Sequence, residues 1–277
     1  MPANLNDVRA YYDRNTPLFL RYGSSTETRS IHRSLWFDGV RDLKEALAVS
    51  NTMVLEQARQ LQVTNLRFAD LGCGVWATMF HLLAGLDAPA KAIGLTLSSV
   101  QAHMADHARR DLGISNAFIV QGDFHNIPFR CDFHLIYSIE AFIHSQEPDR
   151  YFREVTRLLA PDGRLILLDD FLVSNADRSQ TWVKYYQDGW YVPNPQTVED
   201  VIGSARDLGL VLLESRDLTP FLRLRAFPEE LAGMLYRIGK RLPQDHPIFP
   251  SMLGSMALQQ CLKGGWIKYG WLVFEKP

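Results

Sequence analysis

The chain has 277 residues, 47% of them hydrophobic, and a formal net charge of −2. That is enough to bury the core of one α/β domain with elaborations, and it excludes a bulk attraction to nucleic acid or an anionic membrane. Cys73, Cys131 and Cys261 are too few, and odd in number, for a disulfide framework, and they suit the reduced thiols of a cytoplasmic protein. The opening MPANLNDVRAYYDRN does not read as a signal peptide, and no apolar run reaches roughly 18 residues, so no membrane span is expected.

Residues 5 to 15 read as a short helix with Leu5, Val8, Tyr11 and Tyr12 on one side, ended by Thr16-Pro17. The next stretch gathers Arg21, Arg29, His32 and Arg33 beside Trp36 and Phe37. It reads either as a surface face with hydrophobic anchors or as a lid with a basic rim for an anionic substrate. Helical spacing returns over 41 to 62.

Leu66-Arg67-Phe68-Ala69-Asp70-Leu71 then runs into Gly72-Cys73-Gly74 and a helix from Val75. A strand that turns sharply into a helix through glycines lets a ligand approach the backbone, and the helix N-terminus favours an anionic group. Gly72 to Ala77 also fits the looser dinucleotide fingerprint G-x-G-x-x-A, so the turn by itself leaves the cofactor open. The second strand, 91 to 95, ends at Thr96, where a dinucleotide site would place an acid for the ribose hydroxyls. That departure counts against a nicotinamide cofactor. Thr96-Leu97-Ser98-Ser99 also suits the N-cap of an ordinary helix. A third strand, 117 to 121, precedes Gly122-Asp123-Phe124, in which a carboxylate and an adjacent ring suit an adenine, or form a plain turn. The fourth, 133 to 138, ends in Ser138-Ile139-Glu140-Ala141-Phe142-Ile143-His144, at the edge where open α/β sheets bind ligands. Glu140 among apolar neighbours is the expected proton acceptor near neutral pH, with His144 as its helper or as a residue that shapes the loop.

An amphipathic helix over 149 to 159 and the turn Ala160-Pro161-Asp162-Gly163 lead into a fifth strand, RLILLDDF. The aromatics Trp182, Tyr185, Tyr186, Trp190 and Tyr191 suit core packing or a hydrophobic substrate cavity. A helix at 197 to 208, a sixth strand, two inserted helical segments and a last strand from Trp266 to Glu275 complete the chain.

Asp70-Leu71-Gly72-Cys73-Gly74, Gly122-Asp123-Phe124, Glu140 with His144, and the helix–proline–glycine–strand unit, in that order, resemble the class I S-adenosylmethionine-dependent methyltransferases. Within them the chain is most similar to the C-methyltransferases of sterol, tocopherol and prenyl-chain biosynthesis. The resemblance implies an α/β, Rossmann-like seven-stranded sheet with helices on both faces. It implies a single domain over 1–277: an N-terminal helical lid (1–64), a cofactor-binding core (65–219), a helical insertion (220–263) and the last strand (264–277). S-adenosyl-L-methionine would contact Tyr12, Asp70, Gly72, Gly74, Thr96, Gln101, Asp123, Phe124 and Ser138. Glu140 and His144 would be catalytic. Arg29, His32, Arg33, Trp36, Phe142, Trp182, Tyr186 and Trp190 would meet a hydrophobic isoprenoid, either a prenyl diphosphate, which would bring Mg²⁺, or a terpenoid chain. No protein-held metal and no nucleic-acid partner are expected, and the reading leaves room for a homo-oligomer. The alternatives are an O- or N-methyltransferase of a small aromatic metabolite and a non-catalytic cofactor-binding protein.

Overall fold

The structure is a computed structural model that describes residues 4–22, 30–130, 132–225, 228–241 and 248–277. Arg29, one of the residues expected at the substrate, lies outside the described residues. The first helix, α1 (Leu5–Tyr22), does not stop at Thr16-Pro17 as expected but runs through Pro17. Proline removes one backbone donor, and side chains of the preceding turn bind nearby carbonyls: Thr16 Oγ1 donates to the Tyr12 carbonyl (2.7 Å) and Asn15 Nδ2 to that of Tyr11 (2.9 Å). Burial of Val8, Tyr11, Asn15 and Thr16 holds the helix down over that break.

Seven strands follow: β1 (Leu66–Leu71), β2 (Ala90–Thr96), β3 (Ala117–Gln121), β4 (Phe133–Ile139), β5 (Leu159–Leu172), β6 (Val211–Asp217) and β7 (Ile267–Lys276). They form one sheet in the order β3-β2-β1-β4-β5-β7-β6, with β1 to β5 parallel and β7 antiparallel to both its neighbours. The turn Ala160–Gly163 is absorbed into β5 as an irregularity in the pairing with β4.

Alternation along the central strands divides the core in two, because successive side chains leave opposite faces of a strand. Tyr137, Ile166, Leu168, Trp271 and Val273 pack on one face, with Met53 and Val54 of α2 (Leu43–Gln60) and Met79 and Leu82 of α3 (Ala77–Gly85). Ile136, Leu165, Leu167, Leu272 and Phe274 pack on the other, with Tyr151, Phe152 and Val155 of α5 (Pro148–Leu158) and Val201 and Ala205 of α7 (Val198–Asp207). Beside β2 lies α4 (Ser99–Asp111). A third cluster joins α6 (Thr181–Trp190) to the inserted helices α8 (Glu229–Gly239) and α9 (Ile248–Lys263) through Trp182, Tyr186, Tyr236, Leu253 and Ala257.

The strand order reverses between β1 and β4, and a crevice opens outside the carboxyl ends of strands at such a switch point. Everything that could carry chemistry should converge there. Trp271, buried in the centre of β7, should tolerate truncation badly: Trp271→Ala is expected to cost about 3–5 kcal/mol. Phe118→Ser, at an edge position 58% exposed, should cost no more than about 0.5 kcal/mol. Urea denaturation of the two variants checks both values.

Candidate active site

The pocket at the switch point begins with the turn after β1. Gly72 has φ +112° and Gly74 φ +52°, left-handed conformations that glycine adopts without strain. A β-carbon on Gly72 would collide with the Ala141 side chain, so this glycine lets the loop after β4 close onto the loop after β1. The loops are thereby held together at the floor of the pocket.

Asp70, Gly72 and Gly74 line this pocket together with Thr96, Gln101, Asp123, Phe124, Glu140, His144, Tyr12, His32 and Trp190. Asp70 is fully buried, and burial pushes its carboxyl up to about 8. At β2's end Thr96 Oγ1 donates to Gln101 Oε1 (2.7 Å), and Gln101 Nε2 donates to Thr16 Oγ1 of α1 (3.1 Å). The N-cap of α4 is Ser98, whose hydroxyl accepts from the Gln101 N–H. Thr96 is therefore free of the capping role that the sequence left open for it. Asp123 Oδ1 accepts from both the backbone N–H and the ring Nδ1 of His125 (2.9 and 2.8 Å). Burial raises that carboxyl, but the His125 hydrogen bonds outweigh it and hold the group below its ordinary range.

Glu140 stands just past β4 with φ +51°, an uncommon conformation for a side chain with a β-carbon. Strained residues of this kind concentrate at functional sites. Three donors reach its Oε1: the Arg33 backbone N–H (2.8 Å), the Arg33 Nε (3.3 Å) and the Tyr269 hydroxyl (2.8 Å). Among the described residues no donor reaches Oε2. The two outer nitrogens of Arg33 form a paired contact with Asp170 (2.6 and 2.7 Å), which also accepts from the Tyr186 hydroxyl (3.2 Å). The neighbouring Asp169 points the other way and holds the Ile143 N–H (2.9 Å). Burial, then the charge of Asp170, raises the Asp169 carboxyl well above the ordinary range.

His144 is buried, which lowers its ring to about 4, partly offset by the Tyr191 carbonyl. That carbonyl accepts from Nδ1 (3.3 Å), leaving Nε2 to accept the Tyr12 hydroxyl proton (2.9 Å). The neutral imidazole is thus oriented, with Tyr12 of α1 closing over it.

Several expected substrate residues stand elsewhere. Arg33 is occupied by Glu140 and Asp170 and does not form a basic rim. His32 lines the pocket, but its Nε2 donates to Asn51 Oδ1 (3.1 Å) in α2. Trp36 lies under Arg223, whose guanidinium is 3.2 Å from the ring centroid. Phe142 packs into the second core against Tyr151 and Phe152. Trp182 packs in the third cluster and its indole donates to Glu229, and Tyr186 serves Asp170. Ser138, expected at the cofactor, is buried outside the pocket and donates to the Leu71 carbonyl (2.8 Å). Of the aromatic set after β5, Trp190 alone lines the pocket among the described residues. The acids of β5 and Tyr269 escaped the sequence reading. Two adjacent aspartates ending an apolar strand were a usable signal for the first, whereas Tyr269 reaches Glu140 only through the pairing of β7 with β5. Among the described residues, no group of three or more His, Cys, Asp or Glu is placed to hold a metal ion.

Comparison with known proteins adds the family. Residues 69–167 match the model of a methyltransferase domain. The chain is 25% identical over 198 residues to the sterol 4-C-methyltransferase strm-1 of Caenorhabditis elegans, covering 69% of this chain and 57% of that protein. It is also 25% identical over 290 residues to the chloroplastic tocopherol O-methyltransferase of Arabidopsis thaliana, covering 96% of this chain and 75% of the relative. The nematode match thus spans little more than half of the relative's length. Among solved structures, a geranyl diphosphate methyltransferase in complex with GPP and sinefungin superposes with a TM-score of 0.75 at 18% identity, over 99% of each chain. At that identity the likeness shows the fold. Residues 69–167 thus match a methyltransferase domain, and the chain is similar in its ordered motifs and its relatives to the S-adenosylmethionine-dependent methyltransferases of sterols and tocopherol.

The residues present fit the cofactor. Asp70 is a buried carboxyl lining the pocket beside the Tyr137 hydroxyl, a ready partner for an ammonium. Thr96 and Gln101 offer polar atoms for ribose hydroxyls, and Asp123 with Phe124 offers an acceptor and a ring for adenine. Because the folded pKa of Asp70 is raised, its retained proton stabilises the free protein fully below about pH 4, its unfolded value. That contribution is lost as pH rises through about 8. Asp70→Asn should flatten this part of the stability profile, measured as Tm against pH. Binding of S-adenosylmethionine to wild-type protein at pH 7 should release a proton, read by calorimetry in buffers of different ionisation enthalpy, and Asp70→Asn should abolish that release.

Proposed function

We propose that the protein methylates a carbon of an uncharged isoprenoid chain, with Glu140 as proton acceptor. The observation that carries this reading is the placement of Glu140: it lines the same pocket as the glycine turn, and its Oε1 is tied back by Arg33 and Tyr269. S-adenosylmethionine, when bound, supplies an electrophilic methyl group on a sulfonium. The protein then has to align the acceptor, exclude water and take a proton. Attack by an alkene on that methyl would form a carbon–carbon bond as the methyl–sulfur bond breaks, with the neutral thioether S-adenosylhomocysteine as leaving group, and would leave a cation on the neighbouring carbon. The faces of Tyr12 and Trp190, which line the pocket, stabilise such a charge by cation–π contact of about 2 kcal/mol each when desolvated. Loss of a proton to Glu140 Oε2 restores a double bond, and the anchors on Oε1 keep the carboxylate aimed while this happens.

Engagement of Arg33 by two carboxylates favours a terpenoid chain over its diphosphate, and with it a reaction that does not call for substrate-borne Mg²⁺. The sterol C-methyltransferase relative supports a lipophilic acceptor. A second reading, O-methylation, is favoured by His144. Its neutral Nε2 stands where a phenol hydroxyl could replace that of Tyr12 as hydrogen-bond donor, and the tocopherol relative is named for such a transfer.

Glu140→Gln should lower turnover on an isoprenoid alkene by about 10²-fold or more with S-adenosylmethionine affinity retained. His144→Ala should have the smaller effect. Product analysis with a labelled methyl donor should find the label on carbon. Label on oxygen, with His144→Ala the more damaging change, would establish the second reading instead.

A further inference from the structure

Five of the ten large hydrophobic side chains that stand exposed among the described residues belong to the helical insertion: Leu231, Met234, Leu235 and Ile238 on α8, and Met252 on α9. The four on α8 follow the spacing i, i+3, i+4, i+7 and so form one continuous stripe along the helix. Yet the stripe faces outward. The inward face of α8 is Ala232, Tyr236 and Gly239, a single large side chain flanked by two small ones. Tyr236 stacks on Tyr185 of α6 with centroids 3.7 Å apart, and Gly239 packs against Leu253 of α9. Met252, beside Leu253 on α9, is likewise exposed. A helix held through Ala232, Tyr236, Gly239 and the Trp182–Glu229 hydrogen bond still presents four apolar side chains to water.

The charges around the stripe say against what. Of the basic residues in this segment, Arg223 lies on Trp36 and Lys240 pairs with Asp188 (3.7 Å), which leaves Arg225, Arg237 and Arg241 against Glu230, since Glu229 is bound by the Trp182 indole. By helical spacing Glu230 and Arg237 lie along one edge of the stripe, and the exposed Arg241 follows just past the end of α8. A second copy of the chain packed two-fold on this face would bring like charges together, whereas an anionic surface is complementary to them. Apolar side chains on one face with arginines at the margin describe a helix that lies in a membrane interface without crossing it. No helix among the described residues is long and apolar enough to span a bilayer.

We propose that α8, with Met252 of α9, docks the protein on an anionic phospholipid bilayer. The surface also connects with the pocket: α8 packs on α9, where Gly254 lies against Gly189 and Trp190, and Trp190 lines the pocket. A lipophilic acceptor leaving the bilayer would meet this layer of helices first. The proposal stands on the surface alone and does not depend on which atom is methylated.

The experiment is co-sedimentation of the full chain with vesicles of phosphatidylcholine, alone or with phosphatidylglycerol at about 30 mol%. Wild-type protein should sediment with the anionic vesicles at least about fivefold more than with the neutral ones, and less as salt rises. The double variant Leu235→Ser, Ile238→Ser changes only exposed positions and should keep its Tm while losing about tenfold in vesicle binding. Arg237→Glu with Arg241→Glu should remove the preference for the anionic lipid. The proposal is overturned if wild-type protein stays in the supernatant, if the serine variant binds vesicles as well as wild type, or if light scattering shows a dimer that the serine variant dissociates.

Discussion

Arg33 holds three parts of the chain in one arrangement. Its guanidinium grips Asp170 at the end of β5 while its Nε and backbone N–H grip Glu140 at the end of β4, and its face lies 4.2 Å from the ring centroid of Tyr269 in β7. Asp170 is 97% removed from solvent at its side chain, and burial raises its carboxyl even against the attraction of Arg33. A charge so placed is costly to leave unpaired, so the segment before α2 cannot leave the sheet edge without exposing that cost. The same ion pair keeps Glu140 in a conformation that a free chain would seldom choose. The position of the acid at the pocket is thus maintained by a cation engaged with Glu140 and Asp170.

The first helix is fastened from the other side by weaker, replaceable contacts. Asp13 of α1 accepts from Ser98 Oγ (2.5 Å) and from the Val100 N–H (3.2 Å) at the start of α4, Thr16 accepts from Gln101, and Tyr12 donates to His144. Each is a single polar contact at the rim of the pocket, of the kind worth about 1 kcal/mol net. The contrast with Arg33 is physical. A rigid clamp sets the reacting edge, and a set of individually weak bonds closes the roof that a donor and an acceptor must pass beneath.

Charge at the pocket follows from the same clamp. With Arg33 committed and His32 bound to α2, the titratable groups lining the pocket from the described residues are Asp70, Asp123 and Glu140, the thiol of Cys73, the hydroxyl of Tyr12, and the imidazoles of His32 and His144. Burial raises the Asp70 carboxyl in the free protein, so acids rather than free cations line the pocket at the glycine turn and at the Glu140 loop.

Much of this was legible in the chain before any coordinates. The strand–glycine–helix turn at 66–77, the Asp123-Phe124 pair and the Glu140 loop are local signals, because a glycine with positive φ or an acid at a strand end is imposed by backbone geometry within a few residues. The roles of Arg33, Trp182 and Tyr186 were not legible: basic and aromatic residues look alike in sequence whether they face a ligand or a buried partner. Asp170 lies 137 positions from Arg33 and Tyr269 lies 129 from Glu140, and only the pairing of β7 with β5 brings those groups together. The outward face of α8 was likewise hidden, since spacing reveals that a helix has an apolar stripe but not on which side the rest of the protein lies. Sequence by itself determined the order of elements, the cofactor turn and the candidate acid, since these depend on local backbone chemistry. Tertiary structure decided which charges neutralise one another and which apolar face stays uncovered, because both depend on segments that meet only when the sheet is assembled.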